Sequence, residues 1–110
     1  MVGTSPNKPA RTGSSVNISH LTGKRRGAIV KEEVVQRGPE VMKYSLAYIN
    51  PRICGVDNGR VLGHDNSHGR HHRHHMGLVS SISFPGYEAL LDRFRQEVIE
   101  IWRREDEQEG

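Results

Sequence analysis

A chain of 110 residues, of which 34% are hydrophobic, has room for one domain with a modest core and not for two. The mean hydropathy of -0.68, with no apolar run near the roughly 20 residues that a membrane helix needs, excludes a spanning helix, and no apolar signal segment follows Met1, so the expected location is the cytoplasm. The net charge of +3 is unevenly spread: Lys8, Arg11, Lys24, Arg25 and Arg26 precede residue 27 without a single acid, whereas the rest of the chain carries more acids than bases.

Residues 1–25 are rich in Ser, Thr, Gly, Pro and Asn and show no apolar period, which predicts a disordered basic tail, either an incidental extension or a loose nucleic-acid-binding arm. A single domain is expected over 26–104. Arg26 to Gln36 mixes β-branched residues with charges and suits a strand with one buried face. Gly38-Pro39 turns the chain. Met42, Tyr44, Leu46 and Tyr48 then alternate with Lys43, Ser45 and Ala47, and this second strand should pair antiparallel with the first. After Asn50-Pro51, a short strand is predicted at Arg52 to Val56. It contains Cys54, which as a lone cysteine has no disulfide partner and, between Ile53 and Gly55, suits a buried position better than a nucleophile. Asp57-Asn58-Gly59 is a hairpin turn signal, and Arg60 to His64 returns as a strand. If the chain continues extended through His71 to His75, His72 and His74 face one way while His71, Arg73 and His75 face the other. Leu78 to Phe84 can add a last strand. From Pro85 to about Arg104, Tyr87, Leu90, Leu91, Phe94, Val98, Ile101 and Trp102 recur at helical spacing in one wide stripe, and residues 105–110 form an acidic tail expected to fray. The prediction is an α+β fold: a small antiparallel sheet of about four or five strands with one C-terminal helix packed on it.

The densest chemistry lies between His64 and His75, which hold six of the seven histidines. Imidazoles titrate near neutral pH, so the run is suited to proton transfer, phosphate binding or metal ligation. Metal-free RNA cleavage needs a base for the 2′ hydroxyl, an acid for the leaving 5′ oxygen and a cation for the charge growing on phosphorus. His68, His72, Arg73 and His74 supply those parts as the candidate catalytic set. Asp65 and Asn66 are candidates for orienting the imidazoles, and Arg70 and His71 for holding substrate. No cofactor is required on this reading. Two alternatives stay open. His72 with His74, or His64 with a later histidine, could hold zinc, nickel or copper in a non-enzymatic binding protein, although the run lacks a CxxC or HExxH pattern and places Arg70 and Arg73 beside any cation. The loop could also bind nucleic acid without cutting it.

The strand Lys43 to Ile49, KYSLAYI, followed by Arg60 to His74, RVLGHDNSHGRHHRH, resembles the TumE-like family of small bacterial proteins. Members show a KYxLxY strand, a strand ending in VxGYDN, an HG turn followed by HHRH or DHRH, and one helix. The resemblance spans about Arg26 to Arg104 and carries over Asp65, Asn66, His68, Gly69, His72, Arg73 and His74, with His64 in place of the usual tyrosine and His75 outside the pattern. It implies the toxin half of a type II toxin-antitoxin pair, with a helix-turn-helix antitoxin as partner. Endoribonuclease action on an RNA substrate is inferred from the residue types.

Overall fold

The computed structural model describes residues 11–109. Six strands, β1 (Thr12–His20), β2 (Ile29–Arg37), β3 (Glu40–Ile49), β4 (Arg60–Asp65), β5 (His72–His75) and β6 (Leu78–Ser81), precede one helix, α1 (Tyr87–Glu109). The strands form a single antiparallel sheet in chain order, each paired with its sequence neighbours. The α+β class and the C-terminal helix are as expected, and the sheet has six strands rather than four or five.

Alternation in β3 and helical periodicity in α1 build the core. Tyr44, Leu46 and Tyr48 turn to one face of the sheet, joined there by Leu62 of β4, and the Leu90, Phe94 and Val98 stripe of α1 lies against them. Met42, at the start of the alternation, remains exposed. Pro85 stands just outside the helix. Gly86, at φ +103°, makes the turn into it and accepts the Leu90 amide at 3.0 Å.

Three local expectations change. Residues 12–20, read as part of a disordered tail, form β1; the rest of that expectation, residues 1–10, lies outside the described residues. Every β1 residue is exposed, so the strand is held by its backbone ladder to β2, and a ladder leaves no apolar period in a sequence. Residues 52–56 are a turn, not a strand. The Asn50 carbonyl accepts the amides of Ile53 and Cys54, each at 3.0 Å, while its buried side chain accepts from the Arg52 amide and donates to the Tyr48 hydroxyl. Cys54 is buried inside this turn. Finally, the helix continues through the acidic residues to Glu109. Arg25, from the β1–β2 connection, donates to the Trp102 carbonyl at 2.7 Å and to Asp106 at 2.8 Å, pairs with Glu105 at 3.1 Å and lies over the Trp102 ring. Tyr48 donates to Glu105 at 2.9 Å. Among the described residues, no helix is long and apolar enough to cross a membrane.

Since Arg25 ties the β1–β2 connection to Trp102, Glu105 and Asp106 of α1, Arg25→Ala should destabilise the protein by about 1–3 kcal/mol. Amide hydrogen exchange should accelerate selectively in the last turn of α1; uniform acceleration along the helix would contradict this role.

Candidate functional site

The pleat of β4 and β5 sorts the histidine run onto two faces. Asp65 pairs with His72 and Gly63 with His74, and these residues face away from α1. Between them, His64 and Arg73 pair facing α1. His72 and His74 thus share one side, and His71, Arg73 and His75 the other, as the alternation predicted.

On the side away from the helix, Asp65 is the hub. It is 7% exposed, a position where an unpaired carboxylate would be costly. One oxygen, Oδ1, accepts the Ser67 amide at 3.2 Å and lies 3.6 Å from His72 Nδ1. The other, Oδ2, lies 2.9 Å from His74 Nε2 and 3.5 Å from Arg60 Nη1. The His74 contact is short but off the ring's N–H axis, so its attraction is electrostatic more than a directed hydrogen bond. Burial pushes the Asp65 carboxyl up, but the Ser67 amide, His74 and Arg60 outweigh it and hold the group below its ordinary value.

Arg60 completes this cluster and was not among the residues singled out from the sequence. Its guanidinium forks onto Asp57 at 2.8 and 3.0 Å and donates to His74 Nδ1 at 3.0 Å. A guanidinium can only donate, so Nδ1 of His74 accepts and the ring proton sits on Nε2, toward Asp65. Simple alternation would send Arg60 to the helix side. It reaches Asp65 because the β3–β4 register shifts: Leu62 pairs with Tyr48 but Arg60 with Ile49, leaving Val61 as an extra residue. Gly63 makes room for it, since a Cβ there would stand 2.6 Å from Arg60 Cδ.

The remaining candidates are dispersed. Arg73, expected as a phosphate clamp beside His72 and His74, is instead on the helix side, bound to Glu97 Oε2 at 2.6 Å, because it has the opposite parity in β5. Asn66, expected to orient an imidazole, accepts the Tyr44 amide at 3.0 Å and donates to the Met42 carbonyl at 3.1 Å, extending the edge of β3. His71 is also on the helix side, stacked on Phe84 with centroids 4.2 Å apart and its Nδ1 2.8 Å from the Tyr44 hydroxyl. Burial, with the Asp65 charge adding to it, raises the Tyr44 phenol to about 12 and keeps it protonated. His68 sits at φ +60° in the exposed turn Ser67–Gly69, which Arg70 follows, also exposed.

A second cluster backs the first through the sheet. Glu97 of α1 binds His64 Nε2 at 3.2 Å and Arg73. His64 is fully buried against Phe94, and its Nδ1 has no hydrogen-bond partner among the described residues, so its proton belongs on Nε2, donated to Glu97. Burial tends to raise the Glu97 carboxyl, yet the His64 and Arg73 hydrogen bonds and charges bring it down to about 2. Glu97 was also missed in the sequence; its signal is an acid three residues after Phe94, within the apolar stripe.

Among the described residues, no three His, Cys, Asp or Glu side chains gather as a metal site. In the Asp65 cluster the space between the carboxylates is filled by the Arg60 guanidinium.

The molecule is therefore a small α+β protein whose helix-free sheet face carries two histidines and an arginine joined through one carboxylate. Residues 15–103 match the family described as Toxin TumE, and the chain belongs to that family. No curated protein and no solved structure matches it. Membership gives the protein a toxin role, and the match begins inside β1, so the first strand is part of the family's domain.

Two outcomes follow from this geometry. Gly63→Ala should keep the fold at a cost of about 1–3 kcal/mol while expelling Arg60 from His74, seen as a changed His74 ring ¹⁵N pattern; an unchanged pattern would count against the packing described. Because Glu97 has a lowered pKa in the folded state, its stabilisation is fully present above its ordinary value of 4.5 and is lost as pH falls toward about 2. Urea unfolding of Glu97→Gln should lack that part of the acid dependence.

Proposed function

We propose that this toxin is a metal-independent endoribonuclease of a type II toxin-antitoxin pair, acting on RNA in the cytoplasm and restrained by a helix-turn-helix antitoxin. The observation that supports this most is the single buried carboxylate, Asp65, holding His72, His74 and Arg60 together on the helix-free face. With Nδ1 turned toward Asp65, His72 keeps Nε2 to accept the 2′ hydroxyl proton, and Asp65 stabilises the imidazolium that forms. The 2′ oxygen attacks phosphorus, the bond to the 5′ oxygen breaks, and a 2′,3′-cyclic phosphate remains. Arg60, in place of the expected Arg73, meets the charge on the phosphoryl oxygens. As the guanidinium turns to phosphate it releases His74 Nδ1, which takes a proton from solvent; the imidazolium so formed, beside the Asp65 carboxylate, gives that proton to the leaving 5′ oxygen, and the proton taken up by His72 returns to solvent. The ring centroids of His72 and His74 are 6.2 Å apart, close enough for both to reach one phosphodiester. His68, in the adjoining exposed turn, and Arg70, which follows it, meet the RNA backbone beyond the cleaved bond on this reading.

Labelled RNA incubated with the purified protein should be cut with and without EDTA and end in 2′,3′-cyclic phosphate. His72→Ala or Arg60→Ala should lower the rate by about 10²–10⁴-fold without loss of the folded state. Cleavage abolished by EDTA would point to a metal nuclease, and binding without cleavage, weakening steeply with salt, to a blocking toxin.

A further inference from the structure

The strand that carries the site is a poor judge of its own register. Residues 71–75 read His-His-Arg-His-His, the same in both directions, and β5 has only four pairs with β4. Both ends of β5 are loosened by residues at positive φ, His68 and Gly69 before it, Met76 and Gly77 after it, and its other neighbour is the exposed edge strand β6. A slip of one residue would turn His71, Arg73 and His75 to the site side; a slip of two in one direction would bring His74 opposite Asp65 and displace His72, and in the other would bring Arg70 opposite Asp65 and His72 opposite Gly63. Histidine identity therefore discriminates weakly between registers. Arg73 is the one residue of the run that differs, and it sits at the centre of symmetry.

Glu97 recognises that residue. Its Oε2 accepts from Arg73 Nη2 at 2.6 Å and Nε at 3.2 Å, while Oε1 lies 3.2 Å from Nε2 of His64, the residue directly opposite Arg73 on β4. One helix carboxylate thus grips both members of a cross-strand pair, and the adjacent pair is Asp65 with His72. We propose that Glu97 is a positioning residue, selecting the β4–β5 register that brings His72 and His74 onto Asp65; the inference rests on that cluster being the functional site. Charged or polar pairs are known to fix register where apolar packing leaves it degenerate, and the helix supplies the fixed reference, since Leu90, Phe94 and Val98 anchor α1 to β3 and β4 around Glu97.

The test uses the full chain labelled with ¹⁵N and ¹³C, in wild-type form, as Glu97→Gln and as Leu91→Ala, a helix substitution in the core packing away from the cluster. In Glu97→Gln the ring ¹⁵N shifts of His72 and His74 should move toward those of free histidine, and the cross-strand NOEs of Gly63 with His74 should weaken or be joined by those of a slipped pairing. Leu91→Ala should lower the unfolding midpoint and leave these signals in place. Unchanged rings and NOEs in Glu97→Gln, or the same changes in Leu91→Ala, would overturn the proposal. Should Glu97→Gln fail to fold, Glu97→Asp, which keeps the charge on a shorter arm, serves for the same measurement. Growth arrest is read in parallel and should fall about a hundredfold in Glu97→Gln, the scale on which a misplacement of about 1 Å acts. Moved rings with undiminished toxicity would uphold Glu97 as the register residue and refute the Asp65 cluster as the toxic site.

Discussion

Asp65 is almost withdrawn from water, and a carboxylate so placed must be compensated by donors and cations or the strand end that carries it will not stay folded. Its compensation comes from four directions: the Ser67 amide of the following turn, Arg60 from the start of the same strand, and His72 and His74 from the next strand. Each partner fixes a separate feature of the fold. The amide shapes the turn after β4, Arg60 requires the shifted register and the bare backbone of Gly63, and the histidines require β5 to lie in one alignment. Three of the groups that neutralise this buried charge, Arg60, His72 and His74, lie together on the helix-free face.

The sheet keeps its two polar clusters apart with a single layer of backbone. Asp65, His72 and His74 have one parity; His64 and Arg73 have the other and meet Glu97 beneath the helix. The separation divides one dense run of like residues between two faces of the sheet. On the face away from the helix His74 is held between Arg60 and Asp65, with His72 beside them, while on the face toward α1 His64 and Arg73 are bound to Glu97. His64 shows the difference most plainly, being wholly buried, edge-on to Phe94 and bonded to Glu97.

Helix and sheet are joined again at the far end, where Arg25 binds the Trp102 carbonyl and the Glu105 and Asp106 carboxylates of α1 and lies over the Trp102 ring. This contact connects the β1–β2 turn to residues more than 75 positions away, and it gives the acidic end of the chain a partner that its local sequence does not contain. Through it the exposed hairpin arm, the helix and the central strand carrying Tyr48 form one body.

Local patterns alone determined the class of fold and the faces of the central strands: alternation at Tyr44, Leu46 and Tyr48, the helical stripe from Leu90 to Val98, and the division of His72 and His74 from His71, Arg73 and His75. They also drew attention to Asp65, because a carboxylate beside a histidine run is conspicuous in composition. β1 was not legible, since a strand held by its backbone ladder and exposed along its length has no apolar period. Nor was the helical end at residues 105–109, whose partner Arg25 is distant in the chain. Arg60 and Asp57 enter the site through a one-residue register shift, which reverses the parity on which any reading of alternation depends, and Glu97 resembled an ordinary helix acid until packing set it against His64 and Arg73. Periodicity is a property of neighbours in sequence and so determined which way side chains point within an unbroken strand or helix. Which charges meet depends on strand register and helix placement, and those only the tertiary structure decided.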